Sequence, residues 1–230
     1  MVIIMEKIKI LKYKEVTNRF IDELTQDPNI QLINIEERFP EIEIIVSLHK
    51  KRPFYLSWVK GKYPDIVIST TGENLIEVVA RLLTKNSYTL CVAESCTGGL
   101  ISHLLTGLSG SSRYFLMGTI TYSNEAKIRM LNVPKTVIKQ HGAVHEETAK
   151  YMALGVRNLL CADIGLATTG IAGPTGGTPQ KPVGTICISV CLHNRSVTKQ
   201  YAVDQGDREK NKLYFSYLAL NLLRTLLEGQ

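Results

Sequence analysis

The stretch Thr89–Gly99, TLCVAESCTGG, decides how this 230-residue chain reads. Tyr88 to Ala93 form a largely apolar run with the character of a buried strand. Beyond the two glycines, Leu100, Ile101, Leu104, Leu105 and Leu108 recur at helical spacing. Ser95 therefore falls on a strand-to-helix turn. At such a turn the first N–H groups of the helix lack intrahelical acceptors and face whatever lies beyond the strand's carboxyl end, which suits an oxyanion or a phosphate. A serine there is either a nucleophile, with the amides near Cys96 to Gly98 holding an oxyanion, or, like Thr97, the cap of a tight helix entry.

A second constellation lies at Gly118–Met130, GTITYSNEAKIRM. It reads as an alternating strand to Tyr122, a Ser-Asn turn, and a helix carrying Lys127 in its first turns. Lysine serves as a base only when its pKa is lowered, and burial beside a helix N-terminus acts in that direction. Tyr122, on the same turn, offers a phenol to relay a proton or orient the amine. Equally open are a solvated Lys127 paired with Glu125 and a Tyr122 that merely ends a strand. A third element, Ala167–Gly184, ATTGIAGPTGGTPQKPVG, concentrates glycine and proline between two apolar runs. Its glycines let backbone amides approach an anion, but the spacing fits neither the Walker pattern nor the dinucleotide fingerprint.

Composition bounds these readings. Hydrophobic residues make up 44% of the chain with no long apolar span, so a water-soluble protein without a membrane segment is expected. The Met1–Met5 run is interrupted too soon by Glu6, Lys7 and Lys9 to be a secretory signal, which points to the cytoplasm. Cys91, Cys96, Cys161, Cys187 and Cys191 are odd in number and lack metal-ligand spacing, as reduced core residues would be. Of 17 glycines only Gly61 and Gly72 precede residue 90, which marks two differently built segments. The first alternates: Lys7–Leu11 (strand), Val16–Leu24 (helix), Gln31–Ile35 (strand or turn), Glu41–Leu48 (strand) and Pro53–Val59 (strand). Asn74–Leu83 then form an amphipathic helix with Leu75, Val78, Val79 and Leu82 on one face. The expected organisation is a small α+β domain over 1–72 and an α/β domain over 73–230.

Seven motifs occur in order: AESCTGG from Ala93, SGSSRYFLMG from Ser109, TYSNEAK from Thr121, HGAV from His141, TTGIAGPTGG from Thr168, KPVGT from Lys181 and GDRE from Gly206. Together, over about residues 75–228, they resemble the CinA C-terminal domain family, the nicotinamide mononucleotide deamidases also called PncC, some members of which bear competence-damage-inducible names. The resemblance implies a three-layer α/β/α fold. It implies hydrolysis of the nicotinamide mononucleotide carboxamide to the acid and ammonia, without metal or cofactor, in a homo-oligomer, most simply a dimer. Ser95, Tyr122 and Lys127 occupy the positions it marks as catalytic. Glu94, Cys96, Thr97, Gly98, Gly99, Asn124, Thr169, Gly170 and Gly173 fall where it implies substrate contacts. Arg208 is a plausible phosphate anchor, since guanidinium binds phosphate bidentately, or else an ion-pair partner of Asp204 or Glu209. Thr175 and His145 depart from the usual pattern, in place of an acid and a serine. His145, ahead of Glu146 and Glu147 at a helix start, reads as a cap or surface residue. Cys96 is a rival nucleophile on paper, or a structural thiol.

More faintly, the N-terminal segment resembles the KH-like region that precedes this domain in longer CinA proteins. The alternative to the enzyme is a catalytically silent regulatory or nucleic-acid-interaction module using this segment, with the run His49-Lys50-Lys51-Arg52 beside Phe54, Tyr55 and Trp58 as its nucleic-acid surface. Two features oppose that reading: the segment has no GxxG loop to clamp a backbone, and its charge is nearly balanced. Residues 1–85 hold 13 basic against 12 acidic side chains, residues 86–230 hold 14 against 9, and the net charge of +6 thus lies mostly with the second segment. The expected partner is a small phosphorylated molecule rather than a nucleic acid.

Overall fold

The computed structural model describes residues 4–28, 30–48, 52–193 and 195–229. They divide into two units, Met1–Val78 and Val79–Gln230. In the first, β1 (Ile4–Leu11), β2 (Ile30–Arg38), β3 (Glu41–Leu48) and β4 (Val67–Ser69) form an antiparallel sheet in the order β2-β3-β1-β4. Ile8, Ile10, Ile42, Ile44 and Val46 are buried, as the two-residue period of β1 and β3 requires. Against them pack Phe20 and Leu24 of α1 (Lys14–Gln26), with Phe20 edge-on to Tyr63 at 5.0 Å between ring centroids.

The expected strand Pro53–Val59 is instead part of a helix, α2 (Arg52–Lys62). A proline is tolerated in the first helical turn, where its missing N–H has no partner to lose. Lys60 and Lys62 in the last turn complement the helix dipole, and Val59 and Tyr63, four residues apart, are both buried. The aromatic run had masked this 3.6-residue period. Residues 49–51 lie outside the described residues, as do the side chains of Arg52, Phe54 and Tyr55, so the basic run proposed as a nucleic-acid surface has no structural description.

Helix α3 (Leu75–Lys85) opens on a reciprocal capping box: Asn74 Oδ1 accepts from Glu77 N at 3.0 Å and Glu77 Oε2 from Asn74 N at 2.9 Å. The second unit then runs β5 (Leu90–Glu94), α4 (Leu100–Thr106), β6 (Phe115–Ile120), α5 (Asn124–Leu131), α6 (Lys135–His141), α7 (Glu146–Leu159), β7 (Ile164–Gly170), β8 (Thr185–Leu192), β9 (Arg195–Ala202) and α8 (Arg208–Glu228). Its five-stranded sheet has the order β6-β5-β7-β8-β9, with β6, β5 and β7 parallel, β8 antiparallel to β7, and β9 antiparallel to β8.

Side-chain alternation sorts the helices into layers. Cys91, Ala93, Ala167 and Cys191 face Met152, Ala153 and Val156 of α7. The opposite face meets α4: a methyl group on Gly118, which pairs with Val92, would stand 2.1 Å from Ser102 Oγ. Helix α8 packs against α4, β7 and β8. The result is three layers, α/β/α. Gly165 permits the tight approach of α7 to β7, since a Cβ there would meet Ala153 O at 2.0 Å. The carboxyl ends of the three parallel strands thereby come to one edge, where open α/β sheets bind ligands. Cys161 departs from the core reading of the cysteines: it is exposed, while the other four are buried. Among the described residues no helix is long and apolar enough to cross a membrane.

Candidate active site

Strand β5 ends at Glu94, and the chain turns at Ser95 through two left-handed glycines, Gly98 (φ +63°) and Gly99 (φ +95°), into α4. Neither conformation suits a residue with a Cβ. The turn is built around the Glu94 carboxylate, which is fully buried. It accepts from Thr97 Oγ1 (2.7 Å), Gly99 N (2.9 Å), Ile101 N (3.2 Å), Ser102 N (2.9 Å) and Ser102 Oγ (2.7 Å). A negative charge at a helix N-terminus is favourable, and here it also satisfies three orphan amides. Gly98 N donates to Ser95 O at 3.1 Å. Among the described residues, this leaves the Thr97 amide as one the turn does not draw into itself, with the Cys96 amide beside it facing its own thiol.

Lys127 comes from the neighbouring strand-helix unit. Ser123 caps α5 by accepting from Ala126 N, which fixes Lys127 one turn into the helix and aims it back at the sheet. Lys127 is 1% exposed. Its Nζ lies 3.1 Å from Ser95 Oγ, 2.8 Å from Thr121 O and 3.1 Å from Tyr122 O. Burial away from water holds its pKa down, from 10.5 to about 8. A neutral amine has two N–H groups and one lone pair; the two carbonyls take the former, and the lone pair is left to accept the Ser95 proton.

Tyr122 therefore serves Lys127 through its carbonyl, not through the phenol that the sequence offered. The phenol is turned outward, on a residue 60% exposed, and accepts from Arg208 Nη2 at 3.1 Å. Arg208 also donates to Gly173 O at 2.5 Å, so it joins the Tyr122 turn to the glycine-rich loop rather than pairing with Asp204 or Glu209. Asp204 is engaged by Asn211 Nδ2 and Gly206 N.

Several residues expected to touch substrate spend their polar side-chain atoms inside the protein. Glu94 is one. The Thr97 hydroxyl lies between Glu94 and the Thr168 hydroxyl, and the Thr169 hydroxyl donates to Ala143 O at 2.8 Å, tying the HGAV segment to the end of β7. These groups shape the site from behind. Gly170 owes its lack of a side chain to close packing, since a Cβ would meet Thr185 O at 2.6 Å and Cys96 Sγ at 3.2 Å. Gly173 (φ +80°) faces Val183 in the same way, at 2.5 Å. Asn124 is exposed at the start of α5. Cys96 is buried, and desolvation pushes its thiol up to about 12, which removes the thiolate a rival nucleophile would need. His145 caps α7, its Nδ1 accepting from Glu147 N at 3.1 Å, as its position ahead of two glutamates implied. Sequence reasoning missed Thr121, whose main-chain carbonyl carries no residue-specific signal, and Ser102, whose place under Glu94 was readable only as a helix-start hydroxyl. Among the described residues no three histidine, cysteine, aspartate or glutamate side chains gather as a metal ion would require.

Fold and site together define a three-layer α/β/α domain with a buried serine–lysine pair at the ends of adjacent parallel strands. Residues 72–227 match the CinA C-terminal domain, and the chain belongs to that family. A CinA-like protein of Desulfosudis oleivorans is 46% identical over 201 residues, covering 84% of this chain and 49% of the relative. A CinA-like protein of Syntrophus aciditrophicus is 44% identical over 197 residues, with 82% and 47% covered. The chain spans about half the length of these relatives. Among solved structures, the competence-damaged protein (CinA) superfamily protein of Klebsiella pneumoniae 700603 has a TM-score of 0.65 at 31% identity, covering 69% of this chain and all of that one. The competence/damage inducible protein of Agrobacterium tumefaciens gives 0.63 at 35% identity, with 68% and 97% covered.

Proposed function

We propose that the second unit is a serine–lysine amidohydrolase and that its substrate is nicotinamide mononucleotide, converted to nicotinic acid mononucleotide and ammonia. The observation that carries this reading is the 3.1 Å approach of Lys127 Nζ to Ser95 Oγ, with the amine buried and its pKa lowered to about 8. At neutral pH about a tenth of such an amine is unprotonated, a usable fraction for a general base.

Neutral Lys127 takes the hydroxyl proton as Ser95 Oγ attacks the carboxamide carbon, and the carbonyl π pair moves onto oxygen. The Thr97 amide, with the Cys96 amide beside it, is the donor for that oxyanion. Lys127 then passes its proton to the amide nitrogen, the C–N bond breaks and ammonia leaves. Water, deprotonated by the same amine, opens the acyl-serine ester and restores Ser95. Arg208, braced between Tyr122 and Gly173, and the adjoining glycine loop form the wall on which a phosphate would rest. The test is direct: purified protein given nicotinamide mononucleotide should release ammonia and the acid in equal amounts, and Ser95→Ala should abolish release while leaving the circular dichroism spectrum unchanged. A folded wild-type protein that releases no ammonia defeats the reading.

A further inference from the structure

Helix α8 sets two cations one turn apart beside the Ser95 turn, and they are held differently. Arg208 gives hydrogen bonds to two neutral acceptors, Gly173 O and the Tyr122 phenol. Lys212 reaches the glycine turn itself: a methyl group on Gly98 would stand 3.7 Å from both its Cε and its Nζ. The Lys212 side chain is only 25% exposed. Its one ion pair among the described residues is with Glu209 at 4.0 Å, a side chain 81% exposed, and that distance is too long for a hydrogen bond.

A lysine stem laid against the turn fixes where its ammonium stands, and with no hydrogen-bonded acceptor among the described residues its donors are open to a ligand. The nearby acid in sequence, Glu94, cannot supply the missing acceptor, because its oxygens are turned inward onto α4. Gly98 N is bonded to Ser95 O, so the charge stands against the turn that bears the nucleophile. A compact ammonium with three donors suits a tetrahedral anion met from one side.

We infer that Lys212 is a specificity-determining residue of the Ser95 site and binds an oxyanionic group of the substrate, a phosphate monoester, between α8 and the glycine turn. This rests on the deamidase reading of the same site and adds to it the group that tells a nucleotide from a nucleoside. Calorimetric titration of Ser95→Ala protein, which cannot turn over, tests it with nicotinamide mononucleotide, nicotinamide riboside and inorganic phosphate. Adding Lys212→Met should weaken the mononucleotide about tenfold or more, leave the riboside unaltered, and be largely rescued by Lys212→Arg. Unchanged affinity for the mononucleotide, or equal loss for both nicotinamide ligands, overturns the inference. If neither nicotinamide ligand binds while phosphate is held in a Lys212-dependent way, the substrate reading fails and the anion site stands. Phosphate that does not bind, or binds Lys212→Met equally well, overturns the anion site.

Discussion

Lys127 Nζ lies 3.1 Å from Ser95 Oγ, and this contact brings the helix that follows β6 to the end of the neighbouring parallel strand β5. The chemistry expected of the pair depends on which of them holds the proton. With the Lys127 pKa near 8, kcat/KM for ammonia release should climb about tenfold per pH unit below pH 8 and level off above it. Lys127→Arg, whose guanidinium stays charged, should lose about 10²–10⁴-fold in rate and show no such rise. A pH–rate profile of both proteins checks this.

The same burial has a thermodynamic signature. Lys127 is held lower in the folded chain, about 8, than its ordinary 10.5, so between those values the unfolded chain binds the extra proton and stability rises with pH. Below pH 8 the fold carries the full cost of a buried ammonium, of the order of 3 kcal/mol. Urea unfolding at pH 8 and at pH 10.5 should show the wild type gaining on Lys127→Met by roughly that amount. Parallel curves for the two proteins would mean that the amine is not desolvated.

Glu94→Gln keeps the size and shape of the side chain, yet should damage the turn. Five donors converge on the carboxylate, and a carboxamide presents an NH₂ to some of them, leaving buried N–H groups without acceptors. A loss of about 2–4 kcal/mol is expected, a fall in melting temperature of roughly 5–15 °C, with kcat falling and little change in KM. Thermal unfolding with kinetics measured well below the transition separates the two effects.

Two glycines give opposite results when replaced by alanine. At Gly165 the new Cβ would meet the Ala153 carbonyl at 2.0 Å, between a strand and a helix that cannot part cheaply, so about 3 kcal/mol or more should be lost. At Gly61, in α2, nothing lies within 4 Å and the backbone is helical, so alanine should stabilise by about 0.5–1 kcal/mol. Chemical denaturation of both variants reads out the contrast.

What the sequence disclosed and what it hid divide along a physical line. The strand, turn and helix around Ser95 and the helical placement of Lys127 were legible because apolar periodicity and glycine positions act locally. Pro53–Val59 misled because an aromatic and β-branched run outweighs its own helical period until Val59 and Tyr63 are seen buried together. Tyr122 misled differently: a phenol advertises chemistry in the sequence, whereas the carbonyl that meets Lys127 belongs to any residue type. The place of Lys212 beside Gly98 joins residues more than a hundred positions apart, and nothing local announces it.

Helix starts ordinarily fray, and their amide hydrogens exchange with water as fast as a single turn opens. At the start of α4 the hydrogens of Gly99, Ile101 and Ser102 point into a carboxylate with no exposed surface, rooted at the last residue of β5. They can leave only when the turn lifts from Glu94, which breaks several bonds to one buried carboxylate together. The backbone around the serine hydroxyl is thus anchored to the strand end, and a segment that would breathe freely in isolation opens only as a unit.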